Sequence, residues 1–408
     1  MEDITDILYP SNVSNPTLDA FSRTRISQPL TLFDSKQLVD NAPLAWDDQQ
    51  VSGTATSTFV AAKCCSTLAV NNLTAGRRVR QTFERFAYQP GKSQYVLMTA
   101  MLGNSSNGIT KRLGYYDDNN GVFFQTVDGQ LSVGIRNGGV DTIFPQPNWN
   151  QDSMDGTGPS KVRIDLTKVQ IFSIDFEWLG AGSVRWGLFV NGQPVVVHLQ
   201  DTANFATTVY NAGPNQPLRY EIVNSGSGPA ASMDCICGTV MSEAGYEFTG
   251  VQRTADTGST VVGAGNDTNH YALIAIRIKA AYIGAASIEI SSLNVATTAT
   301  ILYRWSLLMN PTLSGTALTW TSAGTNSAVE YATPTASTLV ATEGIKFQSG
   351  YVNQLANGAQ TSVQITGPPI RMGASIAGIS DIILVSAQRA SGSSASNYLA
   401  SISWREQL

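Results

Sequence analysis

The sequence predicts an all-β protein with two tandem β-sandwich or jelly-roll-like domains and an extended N-terminal arm. Apolar and polar residues alternate with the two-residue period of half-buried strands in many short segments. Turn-forming Gly, Asn and Asp clusters separate these segments at roughly the 8 to 12 residue spacing of sandwiches. No segment has a confident helical pattern, and Thr, Val and Ile, which favour pleated surfaces, are abundant.

Length and composition exclude several classes of protein. The chain has 408 residues, which favours two domains over one compact β-domain. Charged residues make up 13% of the chain, about half of the usual ~25%, as expected of a surface partly buried in an assembly. The net charge of -5 argues against nucleic acid as a partner. No run of roughly eighteen apolar residues is present, so we expect no membrane insertion.

Residues 1–20 are predicted to form a docking arm. Pro and Asn residues break regular structure there, and the segment lacks the basic start and apolar core of a secretory signal. We therefore expect synthesis in a cytoplasm. The residues proposed as assembly contacts, in the arm and just after it, are Ile4, Ile7, Leu8, Tyr9, Arg23 and Arg25.

The first sandwich is predicted over residues 21–245 and is organised around Phe172 to His198. Apolar residues alternate along two strands there, and Asn191-Gly192 favours the positive φ angles of a type I′ hairpin turn. Trp178 and Trp186 are expected in the core. A three-stranded unit with one apolar face needs a second sheet to cover it.

Several hairpin connections are predicted earlier in this domain. The sequence Asp117-Asp118-Asn119-Asn120-Gly121 separates two apolar runs, and Asp128-Gly129 and Asn137-Gly138-Gly139 are further turns. The first of these faintly resembles a calcium loop, but it lacks the glutamate at the twelfth position and the flanking helices of an EF-hand. We interpret it as a turn.

Residues 246–270 are predicted to be a linker, because they are rich in Gly, Thr and Asp and show little apolar periodicity. Alternation resumes afterwards, for example over 301–309, so residues 271–408 are predicted to form the second β-sandwich domain.

Metal and cofactor sites are not expected. The four cysteines form the pairs Cys64-Cys65 and Cys235/Cys237, neither of which has the usual spacing of metal ligands. We interpret them as buried free thiols.

A hydrolase is considered and not favoured. Asp175 and Glu177 project from one face of a strand, as the carboxylates of some jelly-roll glycosidases do. Those enzymes carry a third acid earlier in the run, where this chain has Ser173. The signatures of other common enzymes are also absent, so the sequence predicts no catalytic residues.

Segments along nearly the whole chain resemble a group of virion-associated proteins of tailed, largely aquatic bacteriophages. They are FSRTRISQPLTLFDSKQ, VRQTFERFAYQPGKSQ, LGYYDDNNGVFF, FEWLGAGSVRWGLFVNGQPVVVH, PNQPLRYEIVN, YRWSLLMNP, NSAVEY and SWRE. The resemblance implies a structural part of a virus particle and brings no catalytic residues.

These observations together predict a non-enzymatic virion protein made in the host cytoplasm. A tail, baseplate or fibre protein is expected first, bound to other virion proteins and assembled as a symmetric homo-oligomer, either a trimer or a hexamer. A capsid decoration or head-fibre protein is the nearest alternative. A carbohydrate-binding adhesin that contacts host-surface glycans is another, with Tyr115, Tyr116 and Trp149 as the candidate sugar-stacking residues.

Overall fold

The structure is a computed structural model. It describes residues 28–104, 106–247, 249–259, 262–264, 269–297, 302–352, 360–364, 370–391 and 396–408. Strands dominate these ranges, in which the helices are single-turn 3-10 helices at Ala61–Lys63, Gln146–Asn148 and Ala280–Tyr282. The predicted all-β class is confirmed. The predicted arm and the residues predicted as assembly contacts lie outside the described residues. These contacts are Ile4, Ile7, Leu8, Tyr9, Arg23 and Arg25.

The first half of the chain, residues 28–247, forms two antiparallel sheets. Its strands are β1 (Leu30–Lys36), β2 (Trp46–Gly53), β3 (Thr56–Val60), β4 (Cys65–Val70), β5 (Gly76–Thr82), β6 (Gln94–Met101), β7 (Ile109–Tyr116), β8 (Gly121–Val127), β9 (Gln130–Asn137), β10 (Val140–Pro145), β11 (Gln170–Phe176), β12 (Ser183–Val190), β13 (Gln193–Asp201), β14 (Leu218–Asn224) and β15 (Ala231–Ser242). Sheet I has the order β13-β12-β11-β6-β15-β4-β3, and β1 also pairs with β15. Sheet II has the order β10-β9-β8-β7-β14-β5-β2.

The predicted turns lie where the sequence placed them. Asn191 and Gly192 have φ angles of 50° and 77°, and they join β12 to β13 with the two positive φ angles of a type I′ turn. The segment 117–120 joins β7 to β8, so its interpretation as a hairpin connection is confirmed. Strands β11 to β13 form one margin of sheet I and not its centre.

The inner faces of sheets I and II enclose one hydrophobic core. Phe172, Ile174 and Phe176 alternate inward along β11, and the core also contains Trp186, which is fully buried. This alternation is what the sequence pattern predicted. Trp178 differs from that prediction: it lies two residues beyond the end of β11 and is half-buried at the end of the sandwich.

Arginines of sheet II cover two aromatic rings on its outer face. The guanidinium groups of Arg136 and Arg219 lie over the ring of Tyr116, at 5.7 and 5.4 Å from its centroid. Those of Arg112 and Arg136 lie over Phe123, at 5.4 and 5.6 Å. Both rings are buried, and these cation–π contacts cover them.

The second half, residues 249–408, also forms two antiparallel sheets. Its strands are β16 (Val251–Asp256), β17 (Val262–Ala264), β18 (His270–Ile278), β19 (Ser287–Thr297), β20 (Tyr303–Met309), β21 (Thr312–Gly315), β22 (Thr321–Ser322), β23 (Val329–Ala332), β24 (Thr338–Thr342), β25 (Ile345–Val352), β26 (Gln360–Gln364), β27 (Ile370–Arg371), β28 (Ile382–Arg389) and β29 (Ser396–Gln407). Sheet III has the order β16-β29-β19-β26, with β17 on β29 and β27 on β19. Sheet IV has the order β21-β24-β18-β28-β20-β25, with β23 on β18 and β22 on β23.

A second hydrophobic core lies between sheets III and IV and contains Ile276, Trp305 and Trp404. Residues 251–256 and 262–264, within the interval 246–270 that was predicted to be a linker, form strands of this half, which corrects the prediction for these residues. These strands, β16 and β17, pair with β29. Strands at the edge of a sheet need little apolar alternation, which is why composition alone suggested a linker.

The two halves contact each other through the segment 83–85. The backbone N–H of Ala374 donates to the carbonyl oxygen of Phe83 at 3.0 Å, and Arg371 Nη1 pairs with Glu84 Oε1 at 2.8 Å. Asn215 Nδ2 also donates to the carbonyl oxygen of Ala285 at 3.0 Å. These contacts place the loop 283–285 of the second half beside the loops at one end of the first sandwich.

Candidate carbohydrate-binding groove

The tyrosines predicted to stack on sugars are buried, so that assignment is wrong. Tyr115 is 1% exposed, faces the core, and donates its hydroxyl to the carbonyl oxygen of Phe86 at 2.7 Å. Tyr116 is fully buried beneath the arginines of sheet II and donates to Glu221 Oε2 at 3.0 Å. Burial raises the pKa of both phenols. Neither ring face is open to a ligand.

Trp149 is also buried, which corrects the third candidate. It follows the 3-10 helix Gln146–Asn148, and its indole Nε1 donates to the carbonyl oxygen of Phe144 at 3.0 Å. Only 7% of the residue is exposed. Its indole therefore belongs to the structural core of the first sandwich and cannot serve as a platform for sugars.

The acids Asp175 and Glu177 lie in different surroundings. Asp175 forms an ion pair with Arg185, its direct neighbour on β12. Burial raises the pKa of Asp175 to about 6, outweighing the opposing attraction of Arg185. Glu177 lies beyond the end of β11 and is exposed. Asp175 is therefore a paired and partly buried carboxyl, whereas Glu177 faces solvent.

Ser386, His270 and Glu343 in the second half are arranged like the catalytic triad of a hydrolase. His270 Nε2 lies 2.8 Å from Ser386 Oγ, and His270 Nδ1 lies 3.6 Å from Glu343 Oε1. Ser386 is fully buried, however, and its hydroxyl donates to the carbonyl oxygen of Ser306 at 3.2 Å. A nucleophile must reach its substrate. This set is a structural hydrogen-bond network.

All four thiols are free; Cys65 and Cys235 are buried, whereas Cys64 and Cys237 are half-buried. Within the described ranges, no group of three or more His, Cys, Asp or Glu side chains could hold a metal ion. The part of the chain that the structure describes has no helix long and apolar enough to cross a membrane.

A groove of about 420 Å³ lies between the loops of the first sandwich and the second half. One wall is built by the segments 85–90, 117–120 and 212–216 together with Trp178. The opposite wall includes Ile283, Gly284 and Ala285 from the second half. This volume is within the range of small-molecule sites.

The aromatic part of the groove is formed by Trp178 and Tyr88. Their rings meet edge to face, with centroids 6.1 Å apart and an interplanar angle of 71°. The indole Nε1 of Trp178 donates to the carbonyl oxygen of Asn211 at 2.7 Å, which fixes the ring. A half-buried, tethered indole is a suitable surface for the apolar face of a sugar ring.

The polar part of the groove consists mainly of side-chain amides. Asp117 Oδ1 accepts hydrogen bonds from the backbone N–H groups of Asn119 and Asn120, at 2.7 and 2.8 Å, and so orders this turn. The amide oxygen of Asn120 accepts from the backbone of Gly138 at 3.1 Å. Its amide nitrogen lies on the other side, beside Gly213. Amides at an ordered turn can donate to sugar hydroxyls.

The charged side chains that line the groove neutralise each other. Arg85 Nη1 lies 2.7 Å from Asp117 Oδ2, and both side chains are largely buried. Arg85 also lies 3.4 Å from Gln216 Oε1. On the opposite wall, Gly284 has a φ of +86°, and a Cβ atom there would lie 3.3 Å from Arg85 Nη1. The glycine therefore allows the second half to approach this ion pair closely.

Sequence reasoning missed this groove. Its residues come from six separate segments, including Gln407 and Leu408 at the end of the described chain. Trp178 was expected in the core because it continues the alternation of β11. The Leu-Gly-Ala-Gly sequence that follows Trp178 could have indicated that this residue lies outside the core. A turn begins there, so the strand can end before the tryptophan.

Comparisons with known proteins add little on function. No family model matches the chain. No curated protein matches it either. Similar solved structures include the CBM2 module of an evolved Dit protein of Lactobacillus casei BL23 phage J-1, with 7% identity, a TM-score of 0.36, and coverage of 55% of this chain and 100% of that one. Peanut lectin has 12% identity, a TM-score of 0.33, and coverage of 53% and 98%. A protein of unknown function from Shewanella oneidensis MR-1 has 7% identity, a TM-score of 0.35, and coverage of 60% and 97%. All three TM-scores are below 0.5, so these similarities carry no functional argument.

Proposed function

We propose that the protein is a non-enzymatic component of a tailed-bacteriophage virion that binds carbohydrate in the groove between its halves. The resemblance of its sequence segments to virion-associated proteins supports the first part. The observation that carries the second part is the combination, in one groove, of the tethered Trp178 ring with the side-chain amides of Asn119 and Asn120, which stand on a turn whose backbone is held by Asp117.

The chemistry of this combination suits a pyranose ring. One face of a sugar presents C–H groups that pack on an indole, while its rim presents hydroxyls that exchange hydrogen bonds with amides. The groove offers both surfaces on ordered elements, so the cost of fixing side chains on binding is small. These groups support the binding of a sugar without its chemical conversion.

The test is a glycan array followed by calorimetry with the full chain. We expect the protein to retain a subset of host-surface glycans, and Trp178→Ala to weaken binding at least tenfold, or about 1.4 kcal/mol. The matched control is Phe205→Ala, which removes an aromatic ring that is 80% exposed but does not line the groove. Equal binding by Trp178→Ala, or equal loss in both variants, would contradict the groove assignment.

An assembly surface is favoured by a separate observation in the loop between β1 and β2. Leu38, Val39 and Leu44 are 65%, 86% and 71% exposed. The loop is ordered from within, since Arg80 donates to the carbonyl oxygen of Asn41. Apolar side chains held at the surface by an ordered backbone are typical of protein–protein contacts.

We propose that this loop contacts a second copy of the chain. Light scattering should give the mass of a trimer or hexamer, and replacement of all three apolar residues of the loop by serine should lower that mass. An unchanged mass would show that the loop is not the contact. A monomeric wild-type chain would shift the proposal towards a decoration protein or a separate glycan-binding module.

A further inference from the structure

The Asn191-Gly192 turn exposes two groups that can react with each other. In an Asn-Gly pair, the backbone nitrogen of the glycine can attack the side-chain carbonyl carbon of the asparagine, because the glycine has no side chain to hinder the approach. Both residues of this turn are exposed. Within the part of the chain that the structure describes, the side-chain amide of Asn191 and the backbone N–H of Gly192 form no hydrogen bond. A Cβ atom placed on Gly192 would have no neighbour within 4 Å, so the reacting groups have open space.

Two other Asn-Gly pairs have the same chemistry but are held by hydrogen bonds. Asn137 Nδ2 donates to the carbonyl oxygen of Val209 at 3.1 Å, and its Oδ1 accepts from the backbone N–H of Ala212 at 3.0 Å. Asn120 Oδ1 accepts from the backbone N–H of Gly138 at 3.1 Å. This one bond engages the side chain of one pair and the attacking nitrogen of the other. In both pairs, a hydrogen bond must break before the nitrogen can attack.

The pair Asn107-Gly108 is held at the glycine. The backbone N–H of Gly108 donates to Asp128 Oδ1 at 2.7 Å, and its carbonyl oxygen accepts from the backbone N–H of Ser225 at 2.9 Å. The pair Asn357-Gly358 lies outside the described residues. Among the four Asn-Gly pairs of the described ranges, the turn between β12 and β13 is therefore the one in which both reacting groups are unengaged.

We propose that Asn191 is a site of spontaneous deamidation, with water as the co-substrate. The Gly192 nitrogen loses its proton to a solvent base and bonds to Cγ of Asn191, while the side-chain amide nitrogen takes up a proton and leaves as ammonia. The product is a succinimide ring. Water then adds to one of the two ring carbonyls and breaks the bond between that carbon and the nitrogen. Opening at Cγ gives aspartate, whereas opening at the backbone carbonyl carbon gives isoaspartate, in which the main chain runs through the former side chain.

The position of the turn in sheet I allows the rotation that this attack requires. The backbone of Asn191 must rotate out of the turn conformation, in which its φ is 50°. Strand β13 lies at the edge of sheet I, where it pairs with β12. The tip of this hairpin can therefore open locally without separating the strands in the middle of the sheet.

The two products have different effects on the hairpin. Aspartate keeps it, because an Asp-Gly pair also favours a type I′ turn. Isoaspartate adds a methylene group to the backbone of a two-residue loop, and loop length sets the register of a hairpin. The pairing of Val190 with Gln193 should then be lost. Both products also replace a neutral amide by a carboxylate that is negatively charged at neutral pH.

The test is incubation of the full chain at mildly alkaline pH, followed by digestion with trypsin and mass spectrometry. Cleavage after Lys and Arg separates the four Asn-Gly pairs into the peptides 93–111, 113–136, 137–161 and 186–219. We expect the acid form to accumulate in 186–219 about tenfold faster than in the other three, because breaking hydrogen bonds before the attack slows the reaction by about this factor. Fragmentation of the peptide should place the change at Asn191, and Asn191→Asp provides the chromatographic reference for the aspartate product.

The control is the same incubation in concentrated guanidinium chloride, which releases all four pairs from the folded structure. We expect their rates to converge there. If Asn191 reacts no faster than Asn137 in the folded chain, the proposal is refuted. An equally large lead of Asn191 in the denaturant would assign its reactivity to the local sequence and refute the role of the structure. Neither outcome depends on carbohydrate binding.

Discussion

Acid should destabilise the second half through His270. The residue is buried, and burial lowers its pKa from 6.5 to about 4, against the opposing attraction of Glu343. Because the pKa is lower in the folded state, the unfolded chain takes up the proton first. Stability is therefore complete above pH 6.5 and is lost as the pH falls towards 4.

The size of this effect follows from the difference between the two pKa values. One pKa unit corresponds to about 1.4 kcal/mol, so proton uptake by His270 accounts for a loss of about 3 kcal/mol. The neutral ring has a hydrogen-bond partner in Ser386. Ser386 donates its own hydrogen to Ser306 and so accepts one from Nε2 of the imidazole.

The measurement is urea unfolding of the wild type and of His270→Asn at several pH values between 7.5 and 4. Other groups titrate in both proteins, so the difference in their free energies of unfolding isolates the histidine. This difference should shift by about 3 kcal/mol in favour of the variant on acidification. A difference that does not change with pH would refute the reasoning.

Two further predictions concern buried ion pairs. Arg371→Met leaves the carboxylate of Glu84 unpaired between the halves and should lower the free energy of unfolding by about 2 kcal/mol. In urea unfolding, the double variant that also carries Glu84→Gln should recover at least half of this loss. Strictly additive effects of the two substitutions would contradict a direct pair. Glu221→Gln removes a 2% exposed carboxylate that binds Arg77 and should cost about 3 kcal/mol. Glu330→Gln, in a more exposed pair, should cost less than about 1 kcal/mol; equal losses in these two variants would show that burial is not the cause.

Features encoded by neighbouring residues could be predicted from the sequence. The turn at Asn191-Gly192 depends on the φ angles that these two residues adopt, and the burial of Trp186 depends on alternation within β12. The all-β class follows from many such local signals together. None of them requires knowledge of which strands become neighbours.

Features that depend on distant strands could not be predicted. Tyr116 ends β7 beside a polar turn, so sequence alone suggested exposure. The arginines that cover it belong to β9 and β14, and their position depends on the strand order of sheet II. The groove has the same character, since Trp178 and Gly284 meet only after both halves have folded and docked.

Both halves of the chain form the groove, and this affects how such proteins could diversify in evolution. If a gene exchanged only the part encoding residues 249–408, the new chain would keep the aromatic wall but receive a foreign loop in place of Ile283, Gly284 and Ala285. Any side chain larger than hydrogen at position 284 would press on the Arg85–Asp117 pair. We therefore expect the two gene segments to be inherited together, and changes of ligand to arise by point substitutions along the loops.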